Sequence, residues 1–149
     1  MAYSEPHPLL GLQLPELSVD RWVGEPRDPA ALRGRIIVLD FWATWCMPCL
    51  GSIPKNNRIA ADYGEMGVEF IGVCASTGGE ELESVVRDRG IAYSCACDRE
   101  KLTERALHVQ YFPAYFLIGR DGLVREACLG PDQITDALDD LLVEDSAAQ

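Results

Sequence analysis

Asp40-Phe41-Trp42-Ala43-Thr44-Trp45-Cys46-Met47-Pro48-Cys49 is the stretch around which the chain is organised. The run Ile36-Ile37-Val38-Leu39 leads into it, and Pro54 lies five residues beyond the second cysteine. An unbroken Ile/Val/Leu run reads as a strand in the middle of a sheet covered on both faces. Two cysteines separated by two residues at its exit read as a dithiol turn that opens a helix. Asp40 interrupts the apolar run and shares its strand face with Ile36 and Val38.

Upstream, residues 1–10 read as a loose terminus, and Gly11–Ser18 as a short extended segment that Pro15 confines to an edge. Trp22-Val23 read as a second short strand. Asp28-Pro29 open one helical turn, with Asp28 as its cap, and Arg33-Gly34-Arg35 turn into the central strand. Downstream, one helix is expected from Cys46 or Pro48 to about Tyr63. It should kink at Pro54, turn Ile53, Ile59, Ala60 and Tyr63 inward, and end at Gly64 and Gly67.

Val68–Cys74 is a second buried strand. Thr77-Gly78-Gly79-Glu80 has capping-box spacing for a helix ending near Arg89-Gly90. Ile91–Cys97 is a third strand, and Asp98 can cap a helix reaching about His108. Phe112-Pro113 precede a strand at Ala114–Ile118. Arg120-Asp121-Gly122 is a hairpin turn into Leu123–Leu129. A last helix carries Ile134, Ala137, Leu138, Leu141 and Leu142 on one face, with a frayed tail from about Asp145. Strands alternating with helices specify an α/β protein with a central, largely parallel sheet and a late antiparallel edge. The length fits one domain over 1–149, its core at about 11–143.

With 149 residues and a net charge of −11, the chain lacks the clustered Lys and Arg of a nucleic-acid surface. No run approaches the ~18–20 apolar residues of a membrane span. The start, Met1 to Pro8, lacks the basic and apolar regions of a secretory signal. As written the chain is expected in the cytoplasm, and outside it if a leader precedes this sequence. The six cysteines are Cys46, Cys49, Cys74, Cys95, Cys97 and Cys128. The last four lie in apolar, strand-like surroundings, where a thiol packs as a small hydrophobe. Cys95 and Cys97 share a strand face, so a Cys74–Cys97 contact, a second disulfide or an adventitious metal site stay open. His7 and His108 form no metal constellation, and no cofactor is implied.

These residues resemble the thioredoxin superfamily over roughly residues 11–143. Trp45-Cys46-Met47-Pro48-Cys49 is similar to its active-site motif, Phe112-Pro113 to its cis-proline and Asp121-Gly122 to its hairpin turn. Arg33-Gly34-Arg35 and the run Phe41–Cys46 resemble the membrane-associated thiol–disulfide oxidoreductases that serve cytochrome c maturation. So does the longer segment before the proline loop. The chain departs from that branch at Ser52, where it commonly has Glu, and at Asp40, where it often has Asn. It departs from thioredoxins proper at Leu50, where they usually have Lys. Ala114 stands where the residue after the proline is often Thr. The resemblance implies a thioredoxin-like fold with an N-terminal extension. It also implies a monomer that reduces or exchanges disulfides in protein substrates and is recharged by an upstream electron donor.

The chemistry follows from the residue types. A thiolate attacks a disulfide, and a helix N-terminus in a dithiol motif stabilises one. Cys46 at the helix start is the candidate nucleophile, and Cys49, one turn inside, attacks the mixed disulfide. Pro48 stiffens the turn and Met47 adds no charge. Burial of Asp40 should raise its pKa and make it a proton acceptor for Cys49, unless it is a strand-end carboxylate bonded to backbone. The resemblance implies that Pro113 is cis, faces the dithiol and leaves the backbone of Phe112 free for an extended substrate; the alternative is an ordinary trans turn before the strand. Trp45 and Trp42 are candidates for an apolar apron around Cys46, and Phe112 for further substrate contact. Three other readings compete. A non-catalytic interaction domain would normally have lost one of the two active cysteines, and both are present. A peroxiredoxin-like peroxidase would place its cysteine in a Pro/Thr-rich loop with an Arg partner. A copper chaperone would space its cysteines by three residues and add a downstream His, for which His108 is the candidate.

Overall fold

The computed structural model describes residues 6–147. Its central strand, β2 (Ile36–Trp42), is buried at every position. The pleat sends alternate residues into two apolar layers. Ile36, Val38 and Trp42 pack with Ile53, Ile59, Leu138 and Leu141. Ile37, Leu39 and Phe41 pack with Leu107, Val109, Phe116 and Val124. The unbroken apolar run is what a strand covered on both faces requires.

Six strands form the sheet, in the order β1 (Val19–Val23), β4 (Ser94–Asp98), β3 (Val68–Cys74), β2, β5 (Ala114–Ile118), β6 (Val124–Leu129). β2, β3 and β4 are mutually parallel, whereas β5, β6 and β1 each run antiparallel to the neighbour they bond. The mixed α/β sheet matches the expected class, with a second antiparallel edge at β1. Gly72 on β3 lies in register with Asp40. A Cβ there would stand 2.8 Å from Cys95 Sγ and 3.0 Å from Trp42 Nε1, so only glycine lets those side chains meet over the strand.

The helix after the dithiol is two pieces, α1 (Met47–Gly51) and α2 (Ile53–Gly64), separated at Ser52. Pro54 has no N–H to offer the preceding turn. The Ser52 N–H instead bonds the carbonyls of Pro48 and Cys49 at 3.2 and 3.1 Å. α3 (Leu82–Arg89), α4 (Leu102–Ala106) and α5 (Ile134–Ala147) complete the helices among the described residues.

Four expectations are corrected. Thr77–Glu80 form no capping box, because Gly78 adopts φ +82° and a 3₁₀ turn at Gly79–Glu81 delivers the chain into α3. β4 starts at Ser94 rather than Ile91, since the Ile91 N–H bonds Val86 O and the Ala92 N–H bonds Asn57 Oδ1. The described part of the N-terminal segment is tethered, not loose. Its Gly11 N–H bonds Val124 O at 2.9 Å, and His7, whose Nδ1 accepts from Leu9 N–H, donates from Nε2 to Leu107 O at 3.0 Å. Residues 1–5, the rest of that expected terminus, lie outside the described residues, as do 148–149 of the tail. α5 continues past Asp145, which pairs with Arg120 at 2.9 Å.

α5 covers the sheet with Ile134, Leu138 and Leu141, while Val143 stands 70% exposed. Leu138→Ala should therefore destabilise the protein by about 2–5 kcal/mol in urea denaturation, and Val143→Ala by no more than about 0.5 kcal/mol. Equal losses would place the packing face of α5 elsewhere.

Candidate active site

β2 ends at Trp42, and the backbone then turns through Ala43–Trp45 so that Cys46 becomes the N-cap of α1. Cys46 Sγ accepts the Cys49 N–H at 3.3 Å. The two cysteines form a disulfide with Cα atoms 5.2 Å apart. Cys46 is 7% exposed and Cys49 only 2%. Both therefore lie largely inside, with Cys46 alone opening onto a groove. When reduced, a sulfur at this cap faces the unpaired amides and positive end of the helix dipole, which favour a thiolate.

The groove, of about 480 Å³, is lined by Trp45, Cys46, Met47, Pro48, Glu104, Gln110, Tyr111 and Phe112. Trp45 is 58% exposed and Met47 70% exposed, so two large apolar side chains flank the sulfur in solvent. Trp45 is held on both sides. Its Nε1–H donates to Thr77 O at 3.0 Å, and its ring meets Phe112 edge-on at 6.0 Å between centroids. Thr44 Oγ1 donates to Gly78 O at 2.9 Å. A Cβ on Gly78 would fall 2.7 Å from that hydroxyl oxygen and 2.9 Å from Trp45 Cδ1, which explains why glycine stands there. The Thr77-Gly78 pair thus braces the aromatic wall instead of capping a helix.

The Phe112–Pro113 peptide is cis, as expected, and Pro113 is buried. Trp42 is fully buried and belongs to the core, so only Trp45 of the two tryptophans forms an apron. Glu104, Gln110 and Tyr111 were not legible as site residues. Tyr111 is fixed by donating its hydroxyl to Cys128 O at 2.8 Å. Burial and the charge of Asp98 raise the pKa of Glu104.

Asp40 lies on the face of β2 that packs against α2, in the same layer as the dithiol, and is 2% exposed. It is not bonded to backbone. Oδ2 accepts from Asn56 Nδ2 at 3.0 Å, and Oδ1 is buried without a partner. Desolvation pushes its pKa up to about 7, against a smaller opposing effect of the Asn56 hydrogen bond. A carboxyl in that range can take or give a proton near neutrality. Asn56, itself fully buried, was also missed. The one signal for it is its spacing, three residues from both Ile53 and Ile59 on the inward stripe of α2.

The remaining cysteines are free thiols. Cys74 and Cys97 are register partners on β3 and β4, yet no second disulfide joins them. Burial pushes the Cys74 thiol up to about 12 and that of Cys95 well above its ordinary value, so neither is an available nucleophile. His108 stacks edge-on against His7, with centroids 5.9 Å apart. Among the described residues no three His, Cys, Asp or Glu side chains converge as metal ligands. No helix among them is long and apolar enough to cross a membrane.

The family model described as the AhpC/TSA family matches residues 10–127, most of the chain. The chain belongs to the AhpC/TSA family. Within reach of this AhpC/TSA chain is the thiol-disulfide oxidoreductase ResA of Bacillus thuringiensis, 31% identical over 121 residues, which are 81% of this chain and 70% of that protein. Two solved structures share its architecture. A thioredoxin family thiol:disulfide interchange protein from Chlorobium tepidum superposes with a TM-score of 0.69 at 23% identity, covering 95% of this chain and 99% of that one. A secreted Mycobacterium tuberculosis disulfide oxidoreductase homologous to E. coli DsbE gives 0.65 at 24%, covering 79% and 90%. At such identities the likeness is one of fold, and the fold is thioredoxin-like. With the ResA homology and the Cys46–Cys49 disulfide together, this AhpC/TSA member is a thiol–disulfide oxidoreductase.

Asp40 also sets a pH dependence of stability. Its folded pKa of about 7 lies above its unfolded value of 3.8, so the folded state binds the proton more tightly. The resulting stabilisation is complete below the unfolded value and is lost as pH rises through about 7. Asp40→Asn should abolish this slope in the oxidised protein. Above about pH 7 the variant should be the more stable by a few kcal/mol, and the advantage should vanish near pH 4. Chemical denaturation across that range measures it, and parallel curves would contradict burial of the charge.

Proposed function

We propose that this oxidoreductase works as a reductant of disulfides in extended segments of other proteins, with Cys46 as nucleophile and Cys49 as resolving thiol. The observation that carries the reading is the unequal setting of the two sulfurs: Cys46 caps the helix at the mouth of an apolar groove, and Cys49 lies beneath it. The Cys46 thiolate attacks one substrate sulfur. A Cys46–substrate bond forms, the substrate disulfide breaks, and the first substrate sulfur leaves as a thiolate that takes a proton from water. Cys49 then gives its proton to the Asp40 carboxylate and attacks Cys46 Sγ. The second substrate sulfur leaves with the bonding pair, and the Cys46–Cys49 disulfide remains. A dithiol donor returns the two electrons.

Trp45, Met47, Pro48 and Phe112 supply apolar surface on either side of the attacking sulfur, suited to peptide side chains flanking a cystine. Pro113, next to Phe112 at the groove edge, keeps the start of β5 in place beside the dithiol. In this reading the protein acts as a monomer, since the dithiol, the groove and Asp40 all come from one chain.

Two measurements test the proposal. Cys49→Ser should accumulate a mixed disulfide at Cys46 with a cystine-containing peptide, mapped by mass spectrometry, while Cys46→Ser should accumulate none. Equilibrium titration of the wild-type pair against glutathione should give a reducing potential. A value near the ~−120 mV of a strong oxidant would reverse the direction of electron flow.

A further inference from the structure

The buried face of α2 carries a polar cluster that the dithiol chemistry described so far does not use. Asn56 lies seven positions after Cys49 on the inward stripe, fully enclosed. Its amide makes three hydrogen bonds to residues in three separate parts of the chain. Nδ2 donates to Asp40 Oδ2 on β2 at 3.0 Å and to the Tyr93 hydroxyl, just before β4, at 3.2 Å. Oδ1 accepts from the Tyr115 hydroxyl on β5 at 2.7 Å. Tyr115 is the register partner of Asp40 across the antiparallel β2–β5 pair and stands two residues after Pro113. The Tyr93 ring is itself locked against Phe70, with centroids 4.5 Å apart.

This arrangement is more specific than a satisfied core asparagine needs to be. A primary amide can present either end to a carboxyl. Donation from Tyr115 to Oδ1 removes that freedom and directs the NH₂ group toward Asp40 and Tyr93. Asp40 Oδ2 is then occupied by a donor, and Oδ1 is left as the carboxyl atom without a partner.

We infer that Asn56 is a positioning residue for proton transfer at the dithiol: oriented by Tyr115, it holds Asp40 Oδ2 and leaves Oδ1 as the atom that takes the Cys49 proton. The inference rests on the proposed reductase mechanism and deepens it. A donor on Oδ2 favours the ionised carboxylate, and so opposes the desolvation that pushes the Asp40 pKa up. Without Asn56 the carboxyl would stay protonated at neutral pH and could not accept. The titratable groups facing Asp40 are the Tyr93 hydroxyl, the Cys95 thiol on β4 and the Tyr115 hydroxyl. Burial raises the pKa of all three, so they stay neutral across the range in which Asp40 titrates.

The test follows the Asp40 carboxyl carbon by NMR against pH in the oxidised protein, where the dithiol does not titrate, alongside the pH profile of disulfide reduction. The wild-type midpoint is expected near 7. Asn56→Leu should raise it by about one to two pH units, the equivalent of a charge-assisted hydrogen bond. Tyr115→Phe keeps the packing and frees the amide, and should raise it by less. The activity profile of each variant should shift in the same direction. Should Asn56→Leu not fold, Tyr115→Phe carries the test alone. An unmoved Asp40 midpoint in the folded variants, with wild-type reduction intact and altered by Asp40→Asn, would overturn the role of Asn56 and spare the mechanism. A wild-type protein that reduces no disulfide would overturn the mechanism itself.

Discussion

Asp40 places a carboxyl group in the apolar layer between β2 and α2, where desolvation disfavours its charge and one amide donor partly offsets the cost. Much of the surrounding structure is arranged to tolerate that group. β2 is buried on both faces, and Asp40 is only 2% exposed. Gly72, its register partner on β3, leaves space for the Trp42 and Cys95 side chains around it. Tyr115, its partner on β5, reaches across to Asn56. The same strand that buries the carboxyl delivers the dithiol four residues after leaving the sheet. Acid and thiols are thus placed by one short piece of backbone, and their relation depends on packing more than on surface charge.

The architecture was largely legible in the sequence because it rests on local signals. An unbroken apolar run, a dithiol at its exit, Pro54 in the following helix and a hairpin turn at Asp121-Gly122 each act over a few residues. Elements that depend on distant partners were read less well. Thr77-Gly78-Gly79-Glu80 has the spacing of a capping box, but the Trp45 indole and the Thr44 hydroxyl use the Thr77 and Gly78 carbonyls. The Ala92–Asn57 bond that helps move the start of β4 and the His7–Leu107 bond that tethers the N-terminal segment likewise join residues far apart in the chain. Propensity and periodicity carry no record of such pairings.

The site divides along the same line. Cys46, Cys49 and Asp40 announce themselves, being reactive groups or a charge in an apolar run. Asn56, Tyr93 and Tyr115 do not, since each is an ordinary residue type made informative by what it touches. Glu104 on α4, and Gln110 and Tyr111 between α4 and β5, reach the groove only because this part of the chain folds back toward Cys46. Four further cysteines show the converse. Their residue type suggests redox chemistry, yet burial raises the thiol pKa at every one.

Of the six cysteines, Cys46 alone is placed to attack a substrate disulfide, because it sits at the start of a helix and opens onto the groove, while Cys49 reacts only with Cys46. The most direct measurement is alkylation of the fully reduced, folded protein as a function of pH, with each modified cysteine located by peptide mapping. Rapid modification is expected at Cys46, with a midpoint below the ~8.5 of a free thiol, while the buried Cys49, Cys74, Cys95 and Cys97 react only after denaturation and the half-buried Cys128 reacts only at higher pH than Cys46. Equal modification of Cys46 and Cys49, or a midpoint for Cys46 at the free-thiol value, would contradict it.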